Sequence, residues 1–289
     1  MSRSVRVPYA FATIVSLAMI AGCRRDPSYN GRSANDWAML LRDGDSTDRL
    51  AAANAFVHQP PAQRAHVLAL LRATADTNLV VRDLADSAVA GLPDNVTHTL
   101  MDALRDPDVV LRRAAAFGLG HYNNNHDNEI DALIHATNDA DDSVRTLAVS
   151  SLGDRSANAR RALDRIRLLA TQPGPQRAIA LEVLPNIDTE SRSMLGIYLP
   201  AVSDTSARVR AVAIEMLFAA GADSRIVPLI ARALHDPDTR VRQSAARVLA
   251  AEAPHNATAY QALIDPTLPT DSSVQRLADS VKRSVVPPQ

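Results

Sequence analysis

Leu104-Arg105-Asp106-Pro107-Asp108-Val109-Val110-Leu111-Arg112-Arg113-Ala114-Ala115-Ala116-Phe117-Gly118-Leu119-Gly120 joins an Asp-rich turn to a short apolar run. Leu111, Ala115 and Leu119 stand four residues apart, slightly more than one turn of 3.6, so they form one stripe of an α-helix. Asp106 and Asp108 precede the run, where short polar side chains satisfy the free N–H groups of a helix start. With Arg112 as the anchor, the same arrangement recurs along the chain. The anchors are Arg49, Arg82, Arg112, Arg145, Arg177, Arg210, Arg242 and, in an eighth place, Gln275, at intervals of 33, 30, 33, 32, 33, 32 and 33. Three residues after each lies an alanine: Ala52, Ala85, Ala115, Ala148, Ala180, Ala213, Ala245 and Ala278. Seven after it come Phe56, Val89, Leu119, Leu152, Leu184, Leu217 and Leu249, with Lys282 the exception. A small residue in mid-stripe lets a neighbouring helix approach closely.

Each copy also carries a helix before this one. It is marked twelve residues before the anchor by Trp37, Leu70, Leu100, Leu133, Tyr198, Ile230 and Leu263. Between the two helices, Asp43, Asp76, Asp106, Asp139, Asp204 and Asp236 recur six before the anchor, and Asp108, Asp142 and Asp238 are placed to cap the second helix. The fifth copy has Thr171 in the Asp position, and the eighth has Pro269. One such hairpin cannot bury both of its faces, so stability must come from stacking copies side by side. The prediction is an all-α, right-handed α-solenoid of about eight two-helix repeats, over residues 33–289. Composition agrees: 46% of the 289 residues are apolar but only 3% aromatic, with 10 Gly, a vocabulary of helix packing rather than of sheets.

The stretches 104–120 and 234–250 resemble the HEAT-like repeat of the phycobilisome-lyase type. That resemblance implies a scaffold; activity does not transfer with a fold. Enzymes on related scaffolds include di-iron proteins that use His-Glu dipeptides, which this chain lacks, and DNA glycosylases with a basic, aromatic-lined surface.

Residues 1–22 stand apart. Arg3 and Arg6 precede an apolar run from Ala10 to Ile20, too short for a permanent bilayer span and suited to a secretory signal. The run closes on Ile20-Ala21-Gly22-Cys23, which resembles the bacterial lipobox. That resemblance implies cleavage before Cys23 and lipid attachment to its sulfur, and residues 23–32 are expected to be a lipidated Cys and flexible tether. Arg24 follows Cys23 in place of the Asp that retains such proteins at the inner membrane, so the expected address is the periplasmic side of an outer membrane, if the host has one. Cys23 is the single Cys, which excludes an intrachain disulfide.

Loss of the signal leaves 29 basic against 32 acidic residues, a balance that argues against a nucleic-acid partner. The recurring Arg and Asp are spread one set per copy, which suits capping and an inter-repeat charge ladder rather than catalysis. Turns such as Asp43–Asp48 lack the spacing of a calcium loop. His121 and His126 have no acidic or Cys partner in register, and Gly118-Leu119-Gly120 lacks the third Gly of a dinucleotide fingerprint. No catalytic residue, metal or cofactor is expected. In solenoids of this kind the second helices line the concave face, and offsets +1 and +5 from the anchor point away from the packed stripe. That row supplies the candidate protein-binding residues Arg113, Phe117, Glu182, Glu215, Gln243, Arg247 and Arg276. The expected function is a membrane-anchored extracytoplasmic adaptor for a protein partner. The alternatives are an enzyme or cofactor-handling protein on the same scaffold, or a self-associating structural envelope lipoprotein.

Overall fold

A computed structural model describes residues 28–121, 127–188, 194–220, 226–269 and 271–284. Cys23, the signal segment and His126 lie outside the described residues. Among the described residues, sixteen α-helices follow one another in pairs. The first helices are α1 (Ala34–Asp43), α3 (Arg64–Ala73), α5 (Thr97–Ala103), α7 (Asp127–Ala136), α9 (Leu163–Thr171), α11 (Leu195–Ala201), α13 (Val227–Arg232) and α15 (Ala257–Ile264). The second helices are α2 (Ser46–His58), α4 (Leu79–Ala90), α6 (Val109–Gly120), α8 (Asp142–Asp154), α10 (Arg177–Ile187), α12 (Ala207–Ala219), α14 (Thr239–Glu252) and α16 (Ser272–Ser284). Each second helix packs on its own first helix and on the second helices before and after it, so the chain is one all-α solenoid. No described helix is long and apolar enough to cross a membrane.

The core is the stripe that the period defines. Ala52, Ala85, Ala115, Ala148, Ala180, Ala213 and Ala245 are fully buried, and so are Leu70, Leu100, Leu133 and Tyr198 from the first helices. Helix starts are capped as the Asp-rich turns require: Asp45, Asp108, Asp141 and Asp238 each accept a backbone N–H of the following turn. In α8 the cap is Asp141 and not Asp142, which forms the first helical residue and pairs with Arg145.

The amino-terminal end departs from the expected tether. Residues 28–33 form a two-stranded hairpin, Ser28–Tyr29 against Arg32–Ser33, with Asn30 and Gly31 both at positive φ as the tightest hairpin turn demands. The hairpin is docked on the first repeat: Tyr29 stacks on His58 at 5.3 Å, its carbonyl accepts the Trp37 indole N–H at 3.1 Å, and Arg32 lies over the Trp37 ring.

Candidate binding face and groove

The anchor arginines form a ladder between repeats. Arg49 donates through Nε and Nη2 to Asp76 at 2.6 and 3.2 Å, and Arg112 does the same to Asp139 at 2.8 and 3.1 Å. Arg210 reaches Asp236 at 2.8 and 2.7 Å, and Arg177 pairs with Asp204. Each arginine thus bridges to the turn of the next copy, and most also donate to carbonyls of their own turn, as Arg112 does to Asp106 at 3.0 Å. The bridging hydrogen bond from Arg49 outweighs burial and holds the Asp76 carboxyl below its usual 3.8. Burial by itself would push Asp139 and Asp236 up, but the guanidinium and a backbone N–H together keep both low. In the last junction Arg242 pairs at 3.1 Å with Asp271, two residues beyond the place the period assigns and which Pro269 occupies. Where the fifth copy has Thr171, Arg145 turns back to Asp142 and to the carbonyls of its own turn, while Arg165 ties the fifth copy to Thr137 and Asn138.

One rung is missing although both of its residues are present. Among the described residues the Arg82 guanidinium donates no hydrogen bond, and Asp106 caps its own turn by accepting the Asp108 N–H at 2.9 Å. The cause lies in the chain length between them. Bridged pairs are 26 to 29 residues apart, as Arg210–Asp236 and Arg242–Asp271 show, whereas Arg82 and Asp106 are separated by 24. The shortfall is absorbed by α5, a seven-residue helix entered through a 3-10 turn at Asp94–Val96. In compensation α3 packs directly on α6, and Arg72 approaches Asp108 at 3.6 Å. Although Val89 of α4 still packs against Gly118 of α6, an open groove of about 360 Å³ remains between the two helices.

That groove is lined by Thr74 and Ala75 after α3, by Arg82 and Asp86 of α4, by Val110, Arg113, Ala114 and Phe117 of α6, and by Leu147 of α8. Asp86 is out of character with its position. Four residues after the anchor, the other copies place Ala53, Ala116, Val149, Leu181, Ile214 and Ala246, all buried, with Asp279 in the terminal copy. Burial, reinforced by Asp83 and only partly offset by Arg82, raises the Asp86 pKa above 3.8. A larger groove of about 490 Å³ near α1 and α3 contains Arg49 and Asp76, whose polar groups already pair with each other.

The seven predicted binding residues do not converge on one point. Arg113 and Phe117 share the groove, where Arg113 is also held by Asp141 at 2.9 and 2.6 Å and Phe117 packs on the His121 ring. Further along, Glu215 accepts from Ser244 at 2.6 Å and from Arg247, beside the exposed Phe218. Burial raises the pKa of Glu182 despite Arg208 at 3.9 Å, and the nearby Glu215 adds to the rise. Gln243 donates to Ser273 at 2.8 Å, and Arg276 is exposed at the last repeat, donating to the Ser272 carbonyl at 3.2 Å. The row therefore carries three arginines and two glutamates, and all of these but Arg276 pair from one repeat to the next. No group of His, Cys, Asp and Glu able to hold a metal occurs among the described residues.

Comparison with known proteins bears on the scaffold. No curated protein matches the chain. Among solved structures, the Escherichia coli protein YibA is similar with a TM-score of 0.56 and 17% identity, covering 81% of this chain and 96% of that one. A homology model of the full-length AP-3 complex in an intermediate open conformation matches with a TM-score of 0.58 and 13% identity, over 88% of this chain and 51% of that one. The complex of CpcE and CpcF of phycocyanin lyase from Nostoc sp. PCC7120 shares 19% identity over 88% of this chain and 97% of that one, and its TM-score of 0.32 bears on no activity here. At such identities the likeness concerns the fold alone. The model of HEAT repeats matches residues 97–185 and 198–281, more than half of the sequence. With the paired helices and the rungs between them, this makes the chain a member of the HEAT-repeat family.

Proposed function

We propose that this protein is a membrane-anchored extracytoplasmic adaptor, without enzymatic activity, that binds another protein through the face formed by its second helices. The observation that carries the reading is the strip from Glu182 to Arg276, where charged side chains pair across repeats and leave an extended, mixed-charge surface rather than a titratable cluster. A mixed polar surface with scattered aromatic residues is the chemistry of protein interfaces more than of small-molecule sites. The anchor reading rests on Cys23 directly after Ile20-Ala21-Gly22.

Two measurements test it. Replacement Cys23→Ala should move the protein from the detergent-extracted membrane fraction to the soluble one; a variant that stays membrane-bound overturns the anchor. For the adaptor, the mature protein is compared with the swap Glu215→Arg/Arg247→Glu, which keeps the ion pair and reverses its direction, combined with Arg276→Glu. A partner captured from envelope extracts by the wild type and lost by the variant supports the reading. Recovery of no partner by either, together with a metal or small molecule carried by the purified protein, favours a cofactor-handling role.

A further inference from the structure

The larger groove, between the first and second repeats, gathers more positive charge than the ladder uses. Its lining includes Arg42 in the last turn of α1, Arg49 of α2 and Arg72 in the last turn of α3, with Asp76 as the one carboxylate. Arg49 is fixed in place, because it bridges to Asp76 and also donates to the Gly44 carbonyl at 3.1 Å. The other two are loosely held. Arg42 pairs with Asp43, its neighbour in sequence, and both side chains are more than half exposed, so the pair contributes little. Arg72 is 54% exposed, and its approach to Asp108 at 3.6 Å is too long for a hydrogen bond. Neither Asp43 nor Asp108 lines the groove. A basic residue in a last turn favours the helix dipole, but that does not require two of them to line one groove.

The combination belongs to one junction. Arg42 stands seven residues before its anchor and Arg72 ten before the next. At the same two positions of the later junctions Arg105 goes with His135, Arg167 with Asn138 and Arg232 with Ser203, and the rest have no arginine at either. We propose that the groove of the first junction binds a phosphate monoester. Arg42 and Arg72 donate to the terminal phosphate oxygens, and Leu41, Ala65 and Ala69 take the apolar part of the ligand. Three cations against one carboxylate in the lining call for an anion. A guanidinium presents two parallel N–H groups to an oxyanion. The two oxygens of a carboxylate are matched by one such fork, whereas the three terminal oxygens of a phosphate monoester accept from two. A groove of about 490 Å³ falls within the roughly 300–1,000 Å³ of small-ligand sites. The inference is independent of the adaptor reading, whose strip runs from Glu182 to Arg276.

The test titrates the polypeptide from Cys23 onward, produced without acyl chains, with phenyl phosphate, glycerol 3-phosphate and, as a carboxylate of similar shape, benzoate. Arg42→Gln and Arg72→Gln change exposed side chains and should leave the melting temperature unchanged. Each should weaken the phosphates by roughly tenfold or more, while Arg105→Gln and Arg232→Gln, at the same offsets in other junctions, leave affinity unchanged. Vesicles assign the source of the phosphate. Binding to phosphatidate vesicles that both groove variants abolish places it on a lipid headgroup; binding of the soluble phosphates alone places it on a free ligand. The proposal is overturned if neither phosphate nor phosphatidate binds, if benzoate binds as tightly as phenyl phosphate, or if phosphatidylglycerol vesicles, which carry a diester, bind as well as phosphatidate. An equal loss in Arg105→Gln also overturns it, since diffuse positive charge would then suffice.

Discussion

The junction of α6 with α8 and the junction of α4 with α6 are built from the same repeat and reach opposite outcomes. The first is closed along its length. Arg112 bridges to Asp139 at one end, Ser151 donates to the Ala116 carbonyl at 2.8 Å in the middle, and Arg155 at the other end donates to the Leu119 carbonyl at 3.0 Å and pairs with Glu129. A Cβ on Gly120 would come within 2.6 Å of the Ser151 hydroxyl, so the two helices touch backbone to side chain. The second junction lacks its rung, and a groove stands where side chains would interdigitate. The difference follows from three residues fewer between successive anchors, 30 instead of 33. Repeat proteins are held by nearest-neighbour interfaces, so one short connection changes one interface and leaves the adjoining rungs Arg49–Asp76 and Arg112–Asp139 in place.

The largest expected effect strikes the closed junction. Arg155 and Glu129 are each 1% exposed, and their mutual attraction offsets the cost of holding both charges away from water. Glu129→Ala removes the carboxylate that faces the buried guanidinium and should cost about 3–5 kcal/mol of unfolding free energy. Urea denaturation measures this, and a loss under about 1 kcal/mol would mean that the pair is hydrated in solution and the junction looser than described. Next comes Gly120→Leu, which drives a side chain into Ser151 and should cost about 1–3 kcal/mol. An equal tolerance of Gly120→Leu and Asp86→Leu would erase the contrast between the junctions.

A direct comparison uses the same offset in both junctions. Arg112→Met breaks a rung whose partners are 16% and 12% exposed, and should cost about 1–3 kcal/mol because Asp139 loses its charged donor. Arg82→Met breaks no rung and should stay within about 0.5 kcal/mol of the wild type. If the two cost the same, Arg82 is paired in solution and the short connection does not open the junction.

The period, the paired helices and the ladder were legible because each is a column in an alignment of the chain with itself. Arg49, Arg112 and Arg210 repeat with Asp76, Asp139 and Asp236, and the structure joins them as consecutive rungs. What escaped were features out of register. Asp271 takes a rung from two residues beyond its column, and Asp141 caps α8 in place of Asp142. Arg155 is buried although nothing in its local sequence marks it apart from the surface arginines around it. The docking of residues 28–33 depends on Trp37 and His58, contacts that no pattern within the hairpin announces. For the binding row, offsets +1 and +5 include Arg113 and Phe117, which line a groove, but the pairing of Glu215 with Arg247 depends on how one helix is staggered against the next. Asp86 was visible all along as the one carboxylate in an apolar column ahead of the terminal copy. Its meaning emerged only with the missing rung beside it.

The smallest effect separates the two junctions by sign. Asp139 is held below 3.8 in the folded protein, so its contribution to stability is complete above that value and is lost as pH falls through the lower folded pKa. Asp86 is raised above 3.8, so its charged form is disfavoured by folding. Its protonated form adds stability below the unfolded value, and that advantage disappears as pH rises through the folded one. Replacing Asp139 by Asn should therefore destabilise at neutral pH and bring the variant closer to the wild type in acid. Replacing Asp86 by Asn should do the reverse, stabilising slightly at neutral pH with a gain that shrinks as the solution becomes acidic. Unfolding free energies measured from neutral pH down to the acid transition give both slopes. Parallel slopes for the two variants would place both carboxylates in similar surroundings, which is incompatible with a rung at one junction and an open groove at the other.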